Sequence, residues 1–352
     1  MKSNKILTSL NEQKNCQWRI AKRPNGNVME EDFAYHEADI PSINNGEILL
    51  KTLYLNIAPV MRMYMSGDEI AGEHRLDIGD VIHGRGVAEI VQSKHPKYQI
   101  GDILHGQIGW QSYKKTKVTE KEKFRRLGDY GISYSVGLST LGMTGFSAYF
   151  GFMSCGNPKE NETVVVSGAA GGVGSNVIQL AKMMNCRVIG IAGSSEKCDL
   201  IKELGCDEAI NYKNENVRDA IEEYCSSGID IYFDNVGGEI LSICLDNLAQ
   251  NSRIVLCGSI SEYLNKEQYS LNNYTKLRKT NSSMRGFFIY NHVDEFDKAE
   301  DDLIRWIKDG TITPLEYIYN GFKNMPNALA GIYNGKNSGV ALCRVRRGPY
   351  DK

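Results

Sequence analysis

The sequence predicts an α/β fold: a doubly wound parallel sheet of six strands over residues 139–317, with a mostly β domain formed by residues 1–138 and 318–352. Three observations carry that prediction. Short apolar runs alternate with segments of helical period through the middle of the chain. A glycine-rich loop stands directly between the first of these runs and the first helical segment. Earlier in the chain the apolar runs are separated by Gly-Asp turns.

In order from the N-terminus, residues 47–55, 86–91 and 110–114 read as strands, punctuated by Gly79-Asp80 and Gly101-Asp102, and suggest a small barrel. The six sheet strands are expected at residues 163–167, 187–191, 208–212, 230–233, 253–257 and 285–289. They are short, β-branched or aromatic, and bounded by Gly, Asn or Asp, as strands covered on both faces should be. Between them, Val173, Val177, Leu180, Ala181 and Met184 make one apolar stripe at helical spacing, and Ile240, Leu241, Cys244, Leu245 and Leu248 make another. Gly205 stands where a helix C-cap belongs. Phe296, Ala299, Leu303 and Ile307 recur at the same spacing and stop at Gly310. A last strand, residues 340–345, is expected to return to the first domain and make it discontinuous.

Composition narrows the function classes. A length of 352 residues suits two domains. Lys+Arg total 41 against Asp+Glu 43, a net charge of -2, which excludes the basic footprint of a nucleic-acid binder or a polybasic membrane surface. No window reaches the ~18 consecutive apolar residues of a membrane span. The polar segment from Met1 to Cys16, broken only by Ile6, Leu7 and Leu10, lacks the apolar core of a secretory signal. Nine cysteines form no CxxC pair and read as buried, reduced thiols of a cytoplasmic protein. Two glycosylation sequons, at Asn161 and Asn281, are then coincidental.

The loop Ser167-Gly168-Ala169-Ala170-Gly171-Gly172-Val173-Gly174 lies at a strand-to-helix turn. There, missing side chains let backbone N–H groups approach a pyrophosphate at a helix N-terminus. Its GxxGxxG spacing departs from the commonest dinucleotide fingerprint. The second strand separates the two nicotinamide cofactors. NAD sites place an acid about 20 residues after the glycines to hold the ribose hydroxyls. Here Ala192-Gly193-Ser194-Ser195 occupies that stretch and Lys197 follows. Room plus a cation suits a 2′-phosphate, hence NADP. Metal chemistry lacks a ligand set: the six histidines form no HxxxH or HExxH, and no Cys–His pair in the first domain has ligand spacing. His83 and His105 read as structural. No GxSxG elbow and no Walker loop appears.

At this point the residues carry a family likeness. The matching stretches include Leu53-Tyr54-Leu55-Asn56 with Pro59 and Met61-Arg62, residues 141–149, the glycine loop to Ser175, and residues 190–198 and 209–213. They continue with residues 228–238, ending Tyr232-Phe233-Asp234-Asn235-Val236-Gly237-Gly238, with residues 257–263, and with residues 335–339. The chain resembles the zinc-independent medium-chain dehydrogenases/reductases, in the branch of prostaglandin reductases, alkenal double-bond reductases and bacterial curcumin reductase. The likeness runs from about Trp18 to Val345.

The resemblance implies a six-stranded Rossmann domain that binds NADP and a GroES-like barrel domain that binds substrate. The implied reaction is NADPH-dependent reduction of the carbon–carbon double bond of α,β-unsaturated ketones or aldehydes, with hydride reaching the β-carbon. Tyr263 is implied as the hydroxyl that answers charge on the carbonyl oxygen. Implied cofactor contacts are Ser147, Gly171, Gly172, Val173, Gly174, Lys197, Tyr212, Asn235, Cys257, Phe287 and Asn337. Val60, Arg62 and Tyr64 are substrate-cleft candidates, relatives imply a homodimer, and the expected partner is a small molecule, with no metal, nucleic acid or membrane. Three departures stand out: Ala58 and Val60 replace the family's acid and tyrosine, Thr144 replaces a proline, and Ser147 replaces a threonine. A quinone reductase, or an NADP-binding protein without turnover, are the competing readings.

Overall fold

The computed structural model describes residues 13–69, 73–122, 124–263 and 269–351; the readings at Ile6, Leu7 and Leu10 lie outside them. The chain divides into two compact units. The first comprises Met1–Leu138, Ile318–Lys336 and Ala341–Lys352. It begins with β1 (Lys14–Ile20) and β2 (Phe33–Asp39), an antiparallel pair with Trp18 opposite Tyr35. Five strands and a helical turn follow: β3 (Ile48–Ile57), α1 (Val60–Tyr64), β4 (Arg85–Ser93), β5 (Ile103–Gln107), β6 (Tyr113–Thr116) and β7 (Arg125–Leu127). All their pairings are antiparallel, and the β3–β4 ladder slips register at Leu49/Leu50 and at Thr52/Tyr54. Such bulges bend and twist a strand, which lets Leu50, Leu55, Ile90, Leu104 and Trp110 converge on one buried core. The strand expected over residues 110–114 starts later, at Tyr113, because the backbone of Trp110 is already engaged. Its N–H donates to Ile82 O at 2.8 Å and its C=O accepts from Trp18 N–H at 2.9 Å.

The second unit comprises Ser139–Tyr317 and Asn337–Val340. It opens with α2 (Met143–Tyr149), which runs into a π-helical turn, Phe150–Gly156. Strands and helices then alternate: β8 (Thr163–Ser167), α3 (Gly172–Met183), β9 (Arg187–Ala192), α4 (Ser195–Glu203), β10 (Glu208–Asn211), α5 (Val217–Tyr224), β11 (Ile229–Asp234) and α6 (Gly238–Asp246). The unit continues with β12 (Leu248–Leu256), α7 (Lys276–Lys279), β13 (Ser283–Gly286) and α8 (Phe296–Lys308). The six strands are parallel, in the order β10-β9-β8-β11-β12-β13, so the winding reverses between β8 and β11. Val165, Ile189, Ile210, Ile229 and Tyr232 fill the buried core with apolar residues of α5 and α6. This is the doubly wound sheet that the sequence predicts.

Two expectations for the parallel sheet are corrected here. Leu248, counted in the stripe of α6, starts β12 opposite Ile229, because α6 ends at Asp246 and the chain turns at Asn247. The sixth strand is shifted toward the N-terminus. Pairing ends at Leu256 with Gly286, after which Phe287 leaves the sheet. The chain closes with β14 (Glu316–Asn320), α9 (Met325–Tyr333) and β15 (Val340–Arg344), and β15 pairs antiparallel with β3 as the last-strand expectation requires. Residues 337–340, expected with the first domain, cluster with the second unit, because Gly339 N–H donates to Ala170 O at 2.7 Å. No helix among the described residues is long and apolar enough to cross a membrane.

Candidate active site

In an open α/β sheet the ligand crevice lies outside the carboxyl ends of the strands where the order reverses. Here that is the loop after β8 and the loop after β11. Gly168 follows β8 with φ +59, a left-handed conformation that glycine adopts at no steric cost. Gly171 caps α3 with no side-chain acceptor, so the first turn of the helix keeps its N–H groups directed at whatever lies before it. The remaining glycines are needed for close approach. A Cβ on Gly174 would lie 2.4 Å from Gly168 O and 2.8 Å from Ala169 Cα, and one on Gly172 would lie 2.7 Å from Val340 Cγ2. Because Gly174 meets backbone, Gly174→Ala is expected to cost about 1–3 kcal/mol of stability, read as a lower midpoint of thermal unfolding. A variant as stable as the parent would show that loop and helix can separate freely.

The second strand supplies a cation. Ser194 caps α4 by accepting from Lys197 N–H at 3.3 Å, which sets Lys197 in the first helical turn. Burial holds its ammonium pKa below the usual lysine value, and the neighbouring Lys213 pushes the same way. No carboxylate pairs with the Lys197 ammonium among the described residues. Tyr212, 47% exposed, lies against Gly193: a Cβ there would be 2.8 Å from the ring's Cε1 and 2.9 Å from its hydroxyl. A side chain larger than glycine at position 193 would displace the ring. Nothing in the sequence marks Lys213, although it directly follows Tyr212.

The other candidates gather on the same strand ends. Asn235 follows β11 and is doubly tied to β8, its N–H donating to Ser167 Oγ at 2.9 Å and its Nδ2 to Ser167 O at 2.8 Å. Cys257 follows β12 directly, its N–H donating to Asp234 O at 2.9 Å. Burial, reinforced by the Asp234 charge, pushes the Cys257 thiol up to about 12, so it is a neutral packing group and not a nucleophile. Asn337 Nδ2 donates to Gly339 O at 2.9 Å, and Gly339 is in turn bonded to the glycine loop. Phe287 turns its ring onto the π-helical turn, where a Cβ on Gly151 would lie 2.8 Å from ring carbons. Ser147 sits half-buried on α2, just before that turn. Tyr263 lies on the turn after β12. Its hydroxyl oxygen faces Ser259 N–H at 3.5 Å and would be 3.5 Å from a Cβ on Gly258, which in turn would be 3.3 Å from Asn235 O. The fold thus brings Tyr263, Gly258 and Asn235 together, and Asn235 Cβ would be 3.4 Å from a Cβ on Gly168.

The three cleft candidates belong to the first unit. Val60 opens α1 and is half-buried. Arg62 is committed to the backbone of the chain, donating from Nε to Gly26 O at 2.8 Å and from Nη2 to Pro24 O at 2.9 Å. Tyr64 meets His83 edge-on, with ring centroids 5.4 Å apart, and packs on the first unit's core. His83 Nε2 lies 2.9 Å from His74 O, and burial keeps both His83 and His105 below the usual histidine range.

Two family models match the chain, one described as the N-terminal domain of oxidoreductase over residues 16–124 and one as zinc-binding dehydrogenase over residues 172–308. Among the described residues no group of three or more His, Cys, Asp or Glu side chains could hold a metal ion. The chain is 38% identical over 344 residues to the NADPH-dependent curcumin reductase of Escherichia coli, covering 95% of this chain and 97% of that one. It is 37% identical over 330 residues to the (+)-pulegone reductase of Mentha piperita, covering 92% and 96%. Among solved structures, CurA from Vibrio vulnificus in complex with NADPH matches with a TM-score of 0.87 at 34% identity, covering 95% of this chain and all of that one.

Proposed function

The chain belongs to the zinc-independent medium-chain dehydrogenases/reductases, in the branch that holds the curcumin and pulegone reductases, and from that premise we propose that it reduces the carbon–carbon double bond of α,β-unsaturated ketones and aldehydes with NADPH. The observation that carries this reading is the Tyr263 hydroxyl beside Gly258 and Asn235, at the carboxyl ends of β11 and β12. The second unit is the NADP-binding domain and the first the substrate-binding domain.

The residues present fit the cofactor. The glycine loop leaves the N-terminus of α3 clear for a pyrophosphate, and Lys197 and Tyr212 suit a 2′-phosphate, with Asn235, Cys257, Phe287, Asn337 and Ser147 completing the contacts. When bound, NADPH supplies the hydride for the substrate's β-carbon. Tyr263 answers the negative charge that then grows on the carbonyl oxygen by donating a hydrogen bond from its O–H, and a proton from solvent then reaches the α-carbon to give the saturated product. The Ser259 N–H aimed at the oxygen of the same hydroxyl polarises it in the donating direction. Within the substrate-binding domain, Val60 is a smaller side chain than the family's tyrosine, Tyr64 packs edge-on against His83, and Arg62 fixes the chain at residues 24–26. The setting proposed is a cytoplasmic homodimer.

The test is NADPH consumption, followed by absorbance, with a panel of enones, quinones and simple alcohols. Enones should be turned over and saturated alcohols should not. Turnover of quinones alone would favour the quinone-reductase reading, and no turnover at all would favour the non-catalytic one. Exhaustive chelation is expected to leave the rate intact, because positioning and an oxyanion donor suffice for this step. Stoichiometric zinc whose removal abolishes turnover would overturn the assignment.

A further inference from the structure

One buried carboxylate lies at the centre of the site with no role in cofactor or substrate binding assigned above. Asp234 ends β11 and is 1% exposed. Its Oδ1 accepts four hydrogen bonds: from Ser167 Oγ at 2.9 Å, Tyr232 Oη at 2.7 Å, Val236 N at 3.0 Å and Gly237 N at 2.9 Å. Its backbone carbonyl accepts two more, from Cys257 N at 2.9 Å and Gly258 N at 3.1 Å. One residue therefore ties together the ends of β8, β11 and β12, three strands far apart in the chain.

Its bonds reach the two turns that matter. Gly237 has φ +73 and its N–H points at the carboxylate, so the turn after β11 is bent around Asp234. That turn is stitched to the one carrying Tyr263. Ile260 N donates to Asn235 O at 3.4 Å, and Ser261 donates to Val236 O from its N at 3.2 Å and from its Oγ at 2.6 Å. The charge is felt locally: after burial, it is the next cause raising the Tyr232 hydroxyl and the Cys244 and Cys257 thiols.

We propose that Asp234 is a positioning residue for the reduction: its carboxylate and carbonyl hold the turn at residues 235–238 against the turn at residues 257–263 and so aim the Tyr263 hydroxyl. The proposal rests on the reading of Tyr263 as the donor. Asp234→Asn keeps the shape, but it removes the charge and leaves the four donors on an amide oxygen, the weaker acceptor. A displacement of the donor by even 1 Å can cost on the order of 10²-fold. The cofactor contacts of Asn235 do not depend on this carboxylate for their Nδ2 bond to Ser167 O.

The experiment is a double-mutant cycle of Asp234→Asn with Tyr263→Phe, reading kcat alongside NADPH affinity by fluorescence titration. In the parent background Asp234→Asn should lower kcat by about 10–100-fold while NADPH affinity stays close to the parent's. In the Tyr263→Phe background the same change should cost almost nothing, because the group it aims is gone. Equal losses in both backgrounds, a parental kcat for Asp234→Asn, or a loss confined to NADPH affinity would overturn the proposal. Tyr263→Phe at parental rate would identify the donor reading as the one that failed. If Asp234→Asn does not fold, Ser261→Ala removes one exposed stitch between the turns; it should lower kcat about 3–10-fold, the worth of one hydrogen bond, with the same dependence on Tyr263. A folded Ser261→Ala enzyme at parental rate would equally overturn it.

Discussion

Tyr263→Phe is expected to lower kcat by about 10²–10³-fold, the usual cost of removing one oxyanion donor. The substitution keeps the ring and deletes only the hydroxyl that faces Ser259 N–H. Packing of the turn after β12 should therefore survive, and thermal stability and NADPH affinity should stay near the parent's. The loss should fall on kcat and kcat/KM together, since the charge it answers exists only as the double bond is reduced. Steady-state rates with one enone at saturating NADPH decide the matter. A wild-type rate would remove Tyr263 from the mechanism.

The second large effect concerns the choice of cofactor. Lys197→Ala should weaken NADPH binding by about 10–150-fold, the equivalent of one charge-assisted hydrogen bond of ~1.5–3 kcal/mol, and leave NADH nearly unchanged. The discrimination is electrostatic. Lys197 is partly desolvated and stands near a second cation, Lys213, with both effects disfavouring its charge. A phosphate brought between them supplies the missing counter-charge, so the discrimination should also weaken as salt is raised. Lys213 is exposed, and Lys213→Ala should cost less, on the scale of a solvent-screened pair at about 0–1 kcal/mol. Paired titrations of both cofactors against parent and variant measure this. Equal loss for NADPH and NADH would show that the lysine serves the helix and not the phosphate.

Much of this architecture is legible in the sequence. The strands of the parallel sheet could be placed because both of their faces are covered, which makes them short continuous apolar runs. The glycine loop announced itself because its function needs missing side chains at a strand-to-helix turn. Sequence and structure differ where tertiary contacts override local pattern. Leu248 fits the period of α6, yet parallel pairing with Ile229 draws it into β12. Phe287 looks like a strand residue, but its ring is drawn onto Gly151. Trp110 has a strand's composition and instead spends its backbone bonds on Ile82 and Trp18. The importance of Asp234 could not be read along the chain at all. Its partners Ser167 and Cys257 stand at the end of β8 and just after β12, and only the order of the sheet brings them together. Gly339 is a similar case. Nothing local says that its N–H meets Ala170 in the glycine loop, or that a Cβ there would lie 2.1 Å from Leu315 O.

The central claim, that hydride goes to the β-carbon of an enone, is tested most directly by product analysis. An acyclic α,β-unsaturated ketone is turned over with NADPH deuterated at the transferable position, and the product is read by NMR. The account predicts a saturated ketone carrying deuterium on the former β-carbon, with its carbonyl intact. An allylic alcohol carrying deuterium on the former carbonyl carbon would contradict it.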